Sequence, residues 1–550
     1  MPRHTLIALS LAALFAGCAG APPKEDPKPA AAEPAKPADT TTVVPEAERW
    51  RATPPEGTAA PKLEIPKVQQ EQLKNGVLVM VSEQHELPLV DVRVALRAGS
   101  SLDPAKKYGL ADLTYELMLE GAGKKDGVAL AEAFADLGTT ASVATDDDGA
   151  AFQATVLSRN IDPALGLLAE VLQKPRLAKE DFERKQKESI ANLTRQLGNP
   201  FFLLLEAAGP TIYGADHPYG HVGSGTIASV EAITLADAKK FYRQQVGPKV
   251  AAVIFSGDIT MEQARALTLK HFGKWRGRAK PPKAPPVVEA TPRTKVVVVP
   301  KPGLGQTFIA VGRPAVAAGH ADEWALSIAN AVYGGMFSSR LNMNLREDKG
   351  YTYGARAMLM KHRGAGALVA FTPVQADKTG ASIKEIFAEM SGLKTKPITS
   401  DEFSMARDGD LRAIPGWFET ISSMGGTMAH IFYRELPLDR INQLVKAYQA
   451  MDQAGAQATA LKYFDPAVMQ VILVGDPEVI KAQVAELKLG EIELRAPPTP
   501  TPAAAPSAEQ ADAGKVDAKK AAKAAAKQAA KDLAKQRARA AAKAKAKAKK

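Results

Sequence analysis

The chain has 550 residues, 45% of them hydrophobic and 24% charged, with a formal net charge of +11 and a single cysteine. That length suits two or more domains. The lone cysteine, Cys18, excludes any disulfide within the chain.

Residues 1–18 read as a lipoprotein-type signal peptide. Arg3 supplies a positive start, Leu6 to Phe15 is a short apolar run, and Leu14-Phe15-Ala16-Gly17-Cys18 resembles a bacterial lipobox. The run is too short to span a bilayer as a helix. Cys18 is therefore expected to carry lipid, and acyl chains at about 0.8 kcal/mol per buried CH2 would hold the mature protein on a membrane. Residues 19–62 are rich in Ala, Pro, Lys and Glu without hydrophobic periodicity. They read as a tether.

The body, 63–492, looks built twice. Asn75-Gly76-Val77-Leu78-Val79-Met80-Val81-Ser82 reads as a strand. An offset of 218 residues leads to a second one, Arg293-Thr294-Lys295-Val296-Val297-Val298-Val299-Pro300. The same offset joins Phe255-Ser256-Gly257-Asp258 to Leu473-Val474-Gly475-Asp476, since 476 − 258 = 218. Pro248 and Pro466 each stand ten residues before their Asp. Self-similarity on this scale predicts duplication: an N-terminal domain over 63–279, a Pro-rich linker over 280–292, and a C-terminal domain over 293–492. Ile161–Gln173, Lys179–Gln196 and Ser382–Leu393 are amphipathic and predict helices. Asp147-Asp148 and Gly364–Gly366 predict hairpin turns. The fold class is α+β, helices packed on a largely antiparallel sheet.

Gly109-Leu110-Ala111-Asp112-Leu113-Thr114-Tyr115-Glu116-Leu117-Met118-Leu119-Glu120-Gly121 reads as a helix with small residues at both ends. Its frame resembles the zinc helix of the M16 family, which includes pitrilysin, insulinase and the mitochondrial processing peptidase. That helix carries His-x-x-Glu-His, in which two His bind zinc and the Glu polarises water. Aligned on the flanking glycines, the three positions here are Asp112, Tyr115 and Glu116. The family's third ligand, a later Glu, should fall near Ile190-Ala191-Asn192-Leu193, and Glu188 stands about a turn too early. No zinc is expected on this chain. Oxygen ligands at Asp112 and Glu116 could suit a hard cation, but the expected reading is a solvated or salt-bridged helix face.

The second half carries the rest of the resemblance. Tyr333-Gly334-Gly335-Met336-Phe337-Ser338-Ser339-Arg340-Leu341 and Leu345-Arg346-Glu347-Asp348-Lys349-Gly350-Tyr351-Thr352-Tyr353 match the family's C-terminal signature. In the family an Arg and a Tyr seven residues later reach the bound peptide, and here these are Arg346 and Tyr353. A guanidinium fork and a phenol suit a peptide carbonyl or oxyanion. The competing expectation pairs Arg346 with Glu347 or Asp348 and packs Tyr353 in a strand. The resemblance also implies two similar α/β roll domains facing across a cavity.

In His217-Pro218-Tyr219-Gly220-His221 the proline and glycine argue against a helix, so the two His are not expected to form a metal pair; the segment resembles a loop found at this place in the M16 family, which implies a structural role. No Ser-His-Asp or Cys-His set emerges. Residues 493–550 pass from Pro/Ala-rich to Ala/Lys-rich; from Lys515 on, 14 Lys or Arg against 2 Asp give +12, so the basic balance of the chain belongs to this tail. Like charges and no apolar stripe predict disorder. Its partners would be anionic lipids or envelope polymers, with nucleic acid the least suited; the alternative is a solubilising end with no partner.

The resemblance implies a non-catalytic subunit of a two-chain M16 peptidase. It would supply Arg346 and Tyr353 to a zinc-bearing partner and lie lipid-anchored in a bacterial envelope, facing the periplasm at the outer membrane. The alternative is a catalytically dead M16-fold scaffold or binding protein.

Overall fold

The central strands of each half are apolar on both faces, and both faces find cover. That double burial decides the architecture. The computed structural model describes residues 63–290 and 293–498. The expected signal peptide, Cys18, the tether and the tail past 498 lie outside them.

The first half runs β1 (Gln69–Gln72), β2 (Leu78–Glu83), β3 (Leu89–Leu96), α1 (Leu110–Met118), a two-residue ribbon β4 (Gly121–Ala122) and β5 (Lys125–Asp126), then α2 (Gly127–Ala135). The hairpin β6 (Ser142–Thr145) and β7 (Ala150–Leu157) follows, then α3 (Ile161–Gln173), α4 (Lys179–Gln196), α5 (Pro200–Ile212), α6 (Ile227–Glu231) and α7 (Leu235–Gln245). Strand β8 (Ala251–Gly257) and α8 (Met261–Phe272) close it. The second half opens with β9 (Val296–Pro300), β10 (Gln306–Ala315), α9 (Glu323–Asn330) and the short α10 (Arg340–Asn342). The hairpin β11 (Arg356–Met360) and β12 (Gly366–Gln375) precedes α11 (Thr379–Thr395), α12 (Ser400–Ala413), α13 (Ile421–Tyr433), α14 (Arg440–Ala450) and α15 (Gln453–Tyr463). Strand β13 (Gln470–Gly475), α16 (Pro477–Ala485) and β14 (Ile492–Leu494) finish the described chain.

The two six-stranded sheets share one order, β1-β2-β8-β3-β7-β6 and β14-β9-β13-β10-β12-β11. In both, the central strand pairs parallel with one neighbour and antiparallel with the other: β8 with β2 and β3, β13 with β9 and β10. Only the outer edge differs, since β1 runs antiparallel to β2 whereas β14 runs parallel to β9. Among the described residues no helix is long and apolar enough to cross a membrane.

Alternation along the strands sends Val79, Val81, Val253 and Phe255 into a core under the first half's own helices. Met80, Ala252 and Ile254 face the other way, onto Met424, Met428 and Phe432 of α13, a helix of the second half. The exchange is reciprocal: Leu203, Leu204 and Ala207 of α5 cover Val299, Ala310, Ile472 and Val474 of the second sheet. Each half thus lends one helix to the other. An arginine binds a backbone carbonyl of each lent helix, in the last turn of α13, where a cation suits the helix dipole, and at mid-length in α5. Arg97 Nε donates to Phe432 O at 3.0 Å, and Arg495 Nη1 to Ala207 O at 3.2 Å. At the other end of α13, Arg93 donates to Ser422 O at 2.6 Å while its Nε holds buried Asp91 at 2.7 Å. Gly425 permits this approach, because a Cβ there would stand 2.4 Å from Asp91 Oδ1.

A polar knot ties the halves beside α5. Tyr219 OH donates to Asp148 Oδ1 at 2.6 Å and accepts from Gly364 N at 3.0 Å, while Arg363 N donates to Asp148 Oδ2 at 2.7 Å. The Arg363 guanidinium reaches Pro282 O and Lys283 O, so the linker lies pinned along the second half's hairpin turn.

Candidate functional site

Helix α1 holds the degenerate zinc positions, and its three residues have separate fates. Tyr115 is fully buried. Its OH donates to Ala98 O at 2.6 Å, and its ring meets Phe152 and Phe241 edge-on at 5.7 Å each. It is a core residue. Asp112 is half-buried, and burial followed by repulsion from Glu116 pushes its carboxyl up. Glu116 faces α4, where Lys185 Nζ stands 3.5 Å from Glu116, 3.2 Å from Glu120 and 3.4 Å from Glu188. Burial works against the Lys185 ammonium, yet Glu116, Glu120 and Glu188 together hold its pKa above the ordinary lysine value. Arg184 adds a second cation, joined to Glu120 and, at 3.0 Å, to Glu188.

These residues do not fit zinc. They include no imidazole or thiolate, and a lysine ammonium already fills the space among the carboxylates. No group of three or more His, Cys, Asp or Glu among the described residues could hold a metal ion. Glu116 therefore belongs to a salt-bridged face between α1 and α4, while Asp112 lies half-buried beside it, where Thr145 and the Lys185 charge only oppose the upward shift of its carboxyl. Glu120, Arg184 and Lys185 were not singled out by sequence. The signal was present, because Asp181, Arg184, Lys185 and Glu188 fall three and four apart on one helix face.

Arg346 and Tyr353 lie on one framed segment, 337–355. After α10 the backbone widens into π-type turns over Met343–Asp348, a distortion frequent at functional sites. Arg340 grips Glu402 with two 2.7 Å bonds and fixes the start of the segment on α12. Asn342 joins its two ends: Nδ2 donates to Phe337 O at 2.7 Å, and Oδ1 accepts from Ala355 N at 3.0 Å. Gly350, at φ 64°, makes the left-handed turn between them.

On this frame the Arg346 guanidinium lies 4.7 Å from the centre of the Phe337 ring, with Nε 3.3 Å from Glu347 Oε1. The expected Glu347 pair is present, but it occupies only one side of the fork. Tyr353 is 92% exposed and lies in the loop before β11, not in a strand. Its OH has no hydrogen-bond partner among the described residues, and Phe337 beside Arg346 is 64% exposed. The Arg346 guanidinium thus stacks on an exposed ring, with the exposed Tyr353 phenol on the same framed segment. His217 and His221 do not converge on a common point: His217 Nδ1 accepts from Tyr219 N at 3.0 Å, and His221 stacks on Tyr108 at 3.9 Å.

The family described as "Insulinase (Peptidase family M16)" matches residues 78–207, and "Peptidase M16 inactive domain" matches 232–409. The chain is 26% identical over 389 residues to the "Non-peptidase homolog YmxG" of Helicobacter pylori, covering 70% of this chain and 88% of that protein. It is 26% identical over 342 residues to an uncharacterised zinc protease of Mycobacterium tuberculosis, covering 61% of this chain and 74% of the relative. Among solved structures, a peptidase M16 inactive domain from Pseudomonas fluorescens superposes with a TM-score of 0.69 at 25% identity, over 74% of this chain and 98% of that one.

Proposed function

The chain belongs to the M16 peptidase family, and from that premise we propose that it is the non-catalytic subunit of a two-chain zinc peptidase, presenting Arg346 and Tyr353 to peptides cut at a partner's metal. The observation that carries this reading is an asymmetry. Tyr115 is absorbed into the core and Glu116 into a salt bridge, while Arg346 and Tyr353 stand in solvent on a framed segment. Likeness to a non-peptidase homologue and to an inactive domain supports the loss of chemistry on this chain.

The purified chain alone is expected to hold no stoichiometric zinc by elemental analysis and to cleave no peptide. Mixing it with the zinc-bearing M16 chain that co-purifies from the native membrane should give peptidase activity that neither chain has alone. Tight zinc at about one per chain would contradict the reading. A complex that assembles without gaining activity would favour the scaffold alternative.

The same reading places the protein in a bacterial envelope, at the periplasmic side, anchored through lipid on Cys18. Cys18→Ala should shift the protein from the membrane to the soluble fraction at high salt, where attraction between the basic tail and anionic lipid is screened. Unchanged fractionation under those conditions would overturn the lipid anchor.

A further inference from the structure

Outside its basic tail the chain carries almost no net charge, since +11 for the whole and +12 from Lys515 on leave −1. Against that neutral body one end of the first half stands out. The parallel strands β2 and β8 begin there, and helices α7 and α8 end there. Three loops meet at this end. Asn75 Nδ2 donates to Phe272 O at 2.8 Å. A Cβ on Gly76 would stand 3.1 Å from Lys249 Cγ, and a Cβ on Gly277 would stand 2.9 Å from Gly247 Cα. The stretches that form this end, 73–77, 242–250 and 272–280, contain no Asp or Glu.

The same stretches expose Lys74, Arg243, Lys249, Lys274, Arg276 and Arg278. None of these six side chains has a hydrogen bond or ion pair among the described residues. Arg243 lies in the last turn of α7, where the helix dipole by itself accounts for a cation. Lys249, Arg276 and Arg278 stand outside α7 and α8, so no dipole accounts for them. Cations gathered without counter-charge repel one another until an anion arrives.

The kind of anion follows from what accompanies the charges. Phe272 and Trp275 on the same stretch are buried, so neither ring is offered for stacking on nucleic-acid bases. No carboxylate braces these guanidiniums into the fixed fork that grips a single phosphate. Long, unbraced cations suit a diffuse negative surface instead, such as a bilayer with anionic headgroups.

We propose that this end of the first half docks on an anionic lipid membrane, with Lys249, Arg276 and Arg278 at the headgroups. The contact is electrostatic and peripheral, since no large apolar side chain in these stretches is exposed for insertion. It stands whether or not a zinc-bearing partner exists and whether or not Cys18 carries lipid.

Vesicle co-sedimentation of the purified full chain carrying Cys18→Ala, so that no acyl anchor contributes, tests the assignment. The chain should bind vesicles containing phosphatidylglycerol and leave pure phosphatidylcholine in solution. The triple variant Lys249→Glu, Arg276→Glu, Arg278→Glu should bind the anionic vesicles at least about tenfold more weakly. The control Lys384→Glu, Lys394→Glu, Lys446→Glu makes the same charge change at exposed sites of the second half and keeps the same basic tail. It should lose less than about threefold, and the gap between the variants should close at high salt. If circular dichroism shows the first variant misfolded, Lys249→Gln, Arg276→Gln, Arg278→Gln takes its place, with a loss of at least about threefold. Equal losses in patch and control variants would mean that net charge and tail govern binding, and would overturn the proposal. So would an undiminished patch variant, or vesicle binding indifferent to phosphatidylglycerol. A single-stranded oligonucleotide that binds more tightly than the vesicles, and is lost in the patch variant alone, would assign the face to nucleic acid instead.

Discussion

Arg346→Ala is expected to lower turnover of the reconstituted two-chain peptidase by about 100- to 1000-fold, roughly 3–4 kcal/mol of transition-state stabilisation, while leaving assembly and fold intact. The fold should survive because the side chain is more than a third exposed, stacks on one exposed ring and makes one surface ion pair. Contacts of that kind contribute within about 0.5 kcal/mol to stability. The loss should therefore appear in catalysis. Phe337 and Glu347 hold the guanidinium in one orientation before a peptide arrives, so little ordering remains to be done on binding. Arg346→Lys should recover little, since an ammonium cannot reproduce the planar fork. Tyr353→Phe should cost less than Arg346→Ala, because it deletes one hydroxyl and keeps the ring. Steady-state kinetics beside an assembly assay separates the two effects. Full activity of the double variant in an intact complex would mean that this subunit only supports its partner.

Tyr115→Ala should be the most destabilising change on α1, lowering the unfolding free energy by about 3–5 kcal/mol. The ring is fully buried between Phe152 and Phe241, so truncation leaves a cavity where three aromatics meet. Tyr115→Phe should cost only about 1 kcal/mol, the net worth of the bond to Ala98 O. Urea unfolding with matched slopes measures both. A loss below about 1 kcal/mol for Tyr115→Ala would contradict its core role. The same burial explains why rebuilding the zinc motif through Asp112→His, Tyr115→Glu and Glu116→His should fail to recover metal. The new Glu would be an unpaired charge in an apolar core, and Lys185 would still stand where a cation belongs.

Local pattern carried much of the fold. Ile161–Gln173 and Lys179–Gln196 are helices with those bounds, because amphipathic periodicity is a property of neighbours along one chain. The 218-residue offset reappears in space: β2 and β9 begin at Leu78 and Val296, and α7 and α15 span Leu235–Gln245 and Gln453–Tyr463. Repetition survives in sequence because each half must solve the same packing problem. Arg346 and Tyr353 were readable because motif and projecting segment are one continuous stretch.

Contacts between distant segments were not readable in this way. The sequence by itself determined the α+β class, the doubling, the loss of the zinc ligands and the position of the Arg-Tyr pair, since each depends on residue type and short spacing. Only the tertiary structure decided that α5 and α13 cross between halves, because an apolar helix face does not say which sheet covers it. Likewise only folding brought Lys185 of α4 among Glu116, Glu120 and Glu188. Whether a charge or a polar atom is satisfied depends on groups tens of residues away, and no local pattern records it.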